Sequence, residues 1–179
     1  MAKYISFGES LVVDSGVQTI VAPATGTANA DGIVTGTQTA STGTTITVTG
    51  GTFQSSGILA NDIVADTTAG TLVGTVSVVT DNNNLQITGG TFTNGNNFSI
   101  VRPNVLFDSA GNFTSLGVAI GDTVTNTVTS ATATVTALNS NNPSVPLAGQ
   151  ALTLSADLFT GAYADIDDAY TVSAPADQL

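Results

Sequence analysis

Few residues of this chain can do chemistry, and two of them return at matched places, Asp62 and Asp122. Each closes a stretch that occurs twice. Residues 52–64 read TFQSSGILANDIV and residues 112–124 read NFTSLGVAIGDTV, so Phe53, Gly57 and Asp62 match Phe113, Gly117 and Asp122 at one offset. Two carboxylates at equivalent points of duplicated units could face each other as a glycosidase pair. Carbohydrate sites commonly add aromatic platforms, and the chain has no Trp. The plainer reading has both aspartates accepting backbone hydrogen bonds in turns. Gly57 and Gly117 then take turn conformations that a Cβ would hinder.

The one acid cluster is Asp165-Ile166-Asp167-Asp168. A Ca²⁺ site needs several oxygen ligands from a tight loop, which makes Asp165, Asp167 and Asp168 a weak metal candidate. The cluster lacks the glycine and closing glutamate of an EF-hand, so a solvated acidic loop is the simpler reading. Contact with a basic patch on a partner is a third. Arg102 precedes Pro103 between the two repeats and is expected to pair with a carboxylate at that junction. A bridge to a partner chain is its alternative role. There is no His and no Cys, so Ser/His and Cys/His nucleophiles are excluded. A catalytic lysine would have to be Lys3. The chain is therefore expected to carry no catalytic residue and no cofactor.

The elements that must position these residues are strands. Thr is the commonest residue type, followed by Ala, Val and Gly, while 41% of residues are hydrophobic and only 6% aromatic. Thr and Val are β-branched and favour extended backbone. Good helix formers other than Ala are scarce. The predicted fold class is all-β. It comprises an N-terminal β segment over 1–45 and two tandem small barrel- or sandwich-like units over 46–103 and 104–179.

Period-2 alternation marks the strands. It is clear at Ile46 and Val48, over Leu85–Thr88 and over Ala131–Ala137, while Leu72–Val79 and Phe98–Val101 read as further strands of the first unit. Asp81–Asn84 and Asn139–Asn142 read as matching turns. Leu152–Ser155 matches Leu85–Thr88, Phe159 matches Phe92, and Tyr170–Pro175 matches Phe98–Pro103. Candidate strands also lie at residues 5–7, 11–13 and 17–21. Residues 22–45 read as a weak strand pair or a flexible loop. The units differ in length at 143–151 and 160–169, the loops where their uses should diverge.

Thirteen acids against two bases give a net charge of −11. Nucleic-acid binding needs a basic footprint, which is lacking, and an anionic membrane would repel the chain. No apolar run is long enough for a membrane span, and the N-terminus lacks a signal peptide's apolar region. The sequons at Asn97 and Asn112 are therefore read as chance. Without disulfides, a thin core of small residues is expected to gain support from oligomerisation.

The second unit resembles a repeat found in virion structural proteins of tailed bacteriophages. The matching residues are Leu106-Phe107-Asp108-Ser109, Asn112-Phe113, Gly117–Val124, Ala131–Ala137, Leu152–Phe159 and Tyr170–Val172. The first unit matches more loosely, with Asn61-Asp62 in place of Gly-Asp. The opening Met1-Ala2-Lys3-Tyr4-Ile5-Ser6-Phe7 is similar to the start of small structural proteins of marine myophages and cyanophages. The resemblance implies a virion protein made in the host cytoplasm, first of all a capsid decoration (cement) protein bound to the major capsid protein. It implies a homo-oligomer, with a trimer as the expected form, and no catalytic residues. A tail, neck or fibre-base component is the alternative. A Ca²⁺- or carbohydrate-binding bacterial adhesin is more distant. Within the region 1–45, the N-terminal segment or the Ala/Thr/Gly stretch at 22–45 is expected to mediate attachment as an arm that orders on binding.

Overall fold

Alternating β-branched residues have only one economical way to bury an apolar face, which is to pair as sheets. The computed structural model describes residues 24–27, 32–108, 110–138 and 150–174. It is all-β, with two six-stranded sheets in which every pairing is antiparallel.

The first sheet contains β2 (Val34–Thr37), β3 (Thr45–Thr47), β4 (Ile63–Asp66), β5 (Thr71–Val79), β6 (Asn84–Thr88) and β7 (Asn97–Val101). Its order is β2-β7-β4-β5-β6-β3. The second contains β1 (Ala24–Thr27), β8 (Val105–Phe107), β9 (Thr123–Asn126), β10 (Thr132–Leu138), β11 (Ala151–Leu154) and β12 (Ala169–Ser173), ordered β1-β12-β9-β10-β11-β8. Strand for strand, the two orders are the same.

One feature of this wiring differs from the expected strand pair within 22–45. β1 and β2 do not pair with each other. β1 pairs with β12 and β2 with β7, in matching registers: Gly26 faces Tyr170 and Gly36 faces Phe98. The first described strand thus completes the sheet of the second unit. The strands at 24–27 and 34–37 are part of the folded sheets rather than a loose arm. The candidate strands at 5–7, 11–13 and 17–21, the turn at 139–142 and most of the insertion at 143–151 lie outside the described residues.

Each sheet wraps its own core. In the first, Phe53, Phe92 and Phe98 are almost fully buried among Ile46, Val64, Leu85 and Ile100. In the second, Phe113, Phe159 and Tyr170 take the same places among Leu106, Val124, Val135 and Leu152. The pairs with an aromatic over glycine explain why Gly26 and Gly36 recur. A Cβ at Gly36 would lie 2.9 Å from the Phe98 ring, and one at Gly26 would collide with the Tyr170 hydroxyl and the Asp108 carboxylate.

The two sheets curl until their edges meet, and polar groups hold the meeting. In the first, the buried Gln38 amide follows β2, donates to the Thr45 carbonyl (2.9 Å) and accepts from the Thr47 N–H (2.7 Å). It bonds to β3 as a neighbouring peptide would. In the second, the Tyr170 hydroxyl donates to Asp108 Oδ2 at 2.8 Å, joining β12 to the end of β8. Burial first, then the Asp108 carboxylate, raise the Tyr170 pKa far above its ordinary value of 10.0. Such a raised group contributes stability that is complete below the unfolded pKa and is lost as pH rises towards the folded one. Above about pH 10 wild-type stability should therefore fall by about 1.4 kcal/mol per pH unit more steeply than that of Tyr170→Phe. Urea titrations of both proteins across the alkaline range would check this, and equal slopes would refute it.

A second polar device is exchanged between the units. Asp66 Oδ1 accepts from the N–H groups of Thr68 and Ala69, while Asn96 Nδ2 donates to Asp66 Oδ2 at 2.6 Å. In the other unit Asn126 Oδ1 accepts from Val128 and Thr129, and Asn126 Nδ2 donates to Asp168 Oδ2 at 2.8 Å. Acid and amide have traded places. Asn96→Asp would set two carboxylates together, one of them buried, and should cost at least about 1 kcal/mol. Adding Asp66→Asn should restore most of that loss in chemical denaturation.

The insertion at 160–169 joins the units. Its short 3-10 turn, Tyr163–Asp165, and the buried Ile166 pack on Ile63, Ala65, Leu72 and Val101 of the first sheet. This covers the outer face of β4 and explains why that strand is buried on both sides.

Candidate functional site

The repeated loops are the place to look for function, and local hydrogen bonding builds both alike. Phe53 and Phe113 anchor one end in their cores. The N–H of Ile58 reaches the Phe53 carbonyl at 3.1 Å, and that of Val118 reaches Phe113 at 2.9 Å. Gly57 and Gly117 sit at φ +68° and +80°, where an L side chain is strained. Asn61 takes φ +79° where the other loop has Gly121 at +103°, a conformation asparagine tolerates.

Each loop then closes on its aspartate. Asp62 Oδ2 accepts from the Leu59 N–H at 2.8 Å, and Asp122 Oδ2 accepts from the Ala119 N–H at 2.9 Å. The turn role expected for the two aspartates is what the geometry displays. Each carboxylate is engaged in its own loop, and no contact joins Asp62 to Asp122.

The loops differ at one point. Arg102, directly after β7, forks onto Asp62: Nε to Oδ1 at 2.7 Å and Nη2 to Oδ2 at 2.7 Å, with a further bond from Nη2 to the Gly57 carbonyl at 2.8 Å. This is the carboxylate pairing at the junction that its position suggests, and it lies within the first unit. Bidentate geometry is the strong form of such a pair.

The acidic cluster does not assemble as a metal site. Asp168 is buried and bonded to Asn126, Asp165 belongs to the 3-10 turn, and Asp167 is exposed. Among the described residues no three His, Cys, Asp or Glu side chains converge to hold a metal ion. The reason is that Ile166 must point into the junction between the units, which turns its acidic neighbours in different directions. Beside it, Ala65, Thr67, Ser99, Tyr163, Ile166 and Asp167 line a cleft of about 40 Å³, enough for little more than water.

Sequence reasoning missed Gln38, the Tyr170–Asp108 pair and the Asp66/Asn96 exchange with Asn126/Asp168. A signal for the exchange was present, because Asn126 follows Asp66 at the offset that relates Asp122 to Asp62. Beside polar residues such as Ser55 and Thr114, the loops expose large apolar side chains: Leu59 on the first, Leu116 and Ile120 on the second, with Ile120 67% exposed.

This arrangement defines a duplicated all-β protein of two like-wired, curled antiparallel sheets. No protein-family profile, curated protein or solved structure matches the chain.

Proposed function

We propose that the protein is a structural component of a tailed-phage particle, bound to the assembled shell as a decoration (cement) protein. One observation carries this reading. The carboxylates of the repeated loops hold the loops in shape, and among the polar side chains turned to solvent each loop also exposes large apolar ones. Leu59, Leu116 and Ile120 are suited to contact with another protein. The acidic charge keeps such a protein soluble before assembly. Two units locked by Ile166 present their loops in a fixed relation, which favours a repeating lattice as target. The mechanism is mass action: a protein that binds only the assembled shell stabilises that shell. Oligomerisation, with a trimer as the expected form, would multiply the contacts.

Cosedimentation of the purified protein with empty capsids, and separately with isolated tails, of the encoding phage tests the reading. Saturable binding to capsids is the expected result. Binding to tails alone would replace it with a tail or neck role, and binding to neither would overturn the virion reading in favour of an adhesin.

A further inference from the structure

The Asp62 loop and the Asp122 loop have the same backbone bonds, but among the described residues only the first holds a cation. Ile100 pairs with Val64 as Val172 pairs with Val124. Two residues beyond Ile100 stands Arg102, and two beyond Val172 stands Ala174, which is exposed. The second loop therefore keeps the features that receive the guanidinium in the first. These are a carboxylate fixed by the Ala119 N–H and the carbonyl of the left-handed Gly117. Among the described residues nothing occupies them. Among the described residues, neither Asp122 Oδ1 nor the Gly117 carbonyl accepts a hydrogen bond.

We infer that the Asp122 loop is a receptor for an arginine side chain supplied by another protein. The first loop is the template for the fit, with two N–H groups on the carboxylate and one on the glycine carbonyl. The chain cannot fill the second receptor with a guanidinium, because Arg102 is its only arginine and is bound to Asp62. A second copy is excluded as donor for the same reason. A lone ammonium, as on Lys3, cannot make the planar fork. Leu116 and Ile120, 40% and 67% exposed, lie on the same loop and select an arginine with apolar neighbours. A buried arginine beside apolar contacts is a common centre of protein interfaces. If the shell protein is the partner, the inference rests on the function proposed above. The receptor itself does not.

The test uses the full chain. Ala174→Arg places a tethered guanidinium at the site and should raise the melting temperature by about 2–4 °C. Asp122→Asn, which still accepts from Ala119, should erase that gain. The peptide acetyl-Leu-Arg-Leu-amide, followed by NMR, should shift the amides of Ala119 and Asp122 saturably. Those shifts should vanish in Asp122→Asn and in Ala174→Arg. Peptide shifts that survive Asp122→Asn, or no gain from Ala174→Arg, would overturn the receptor. The capsid experiment separates the two ideas. Capsids that bind wild type and both variants equally would remove the arginine contact and leave decoration standing. Capsids that ignore the wild type would remove decoration, and the peptide result would still decide the receptor.

Discussion

Arg102→Ala should destabilise the protein by about 3–5 kcal/mol, because it strands a carboxylate that is almost wholly buried. The Arg102 side chain is 12% exposed and that of Asp62 3%. Removal of the guanidinium leaves Asp62 with one N–H donor, Leu59, and leaves the Gly57 carbonyl without its side-chain donor. Urea denaturation of the single variants and of Arg102→Ala/Asp62→Asn would measure the coupling. The double variant should be more stable than Arg102→Ala, because an amide keeps the cap on Leu59 without a stranded charge. A loss below about 1 kcal/mol for Arg102→Ala would mean that the pair behaves as an exposed one.

Phe98→Ala should cost a similar amount, about 3–5 kcal/mol. The ring is 1% exposed, lies edge-on to Phe92 at 6.0 Å and meets Phe53 at 5.9 Å. Gly36 lies over it, without a side chain that could fill the space. The expected loss is global, because β1 of the second sheet precedes β2 of the first and Ile166 ties the units together. A single unfolding transition should shift as a whole, and two separated transitions would show that the units fold independently. Phe98→Tyr gives a sharper comparison. Tyr170 occupies the matching place and bonds Asp108, whereas Gly36 and Phe98 are accompanied by Val48. The single change should cost about 1–3 kcal/mol by burying an unpaired hydroxyl, and Val48→Asp in the same chain should recover part of it.

What the sequence determined by itself is what local chemistry decides. Period-2 alternation placed β6 and β10, apolar runs placed β5 and β7, and the repeat placed β12, close to where they lie. The roles of Gly57, Gly117, Asp62 and Asp122 were legible because each depends on neighbours within a few residues: a positive φ, or an N–H three positions away. The duplication was legible because both loops need the same residues for the same bonds.

Tertiary structure decided the rest. Alternation says that a segment is a strand but not which edge it joins, so β1 and β2 could be expected to pair with each other. Their aromatic partners, Tyr170 and Phe98, lie far along the chain, and the registers Gly26–Tyr170 and Gly36–Phe98 are settled by space above a ring. Arg102 could be assigned a carboxylate but not Asp62, forty residues away, since only the folded sheet brings the end of β7 to that loop. The acidic run at 165–168 looked like one group because its residues are adjacent. In the fold Ile166 is drawn to the first sheet and Asp168 to Asn126; burial of the apolar side chain sets these directions, and mutual repulsion gives the carboxylates no reason to converge.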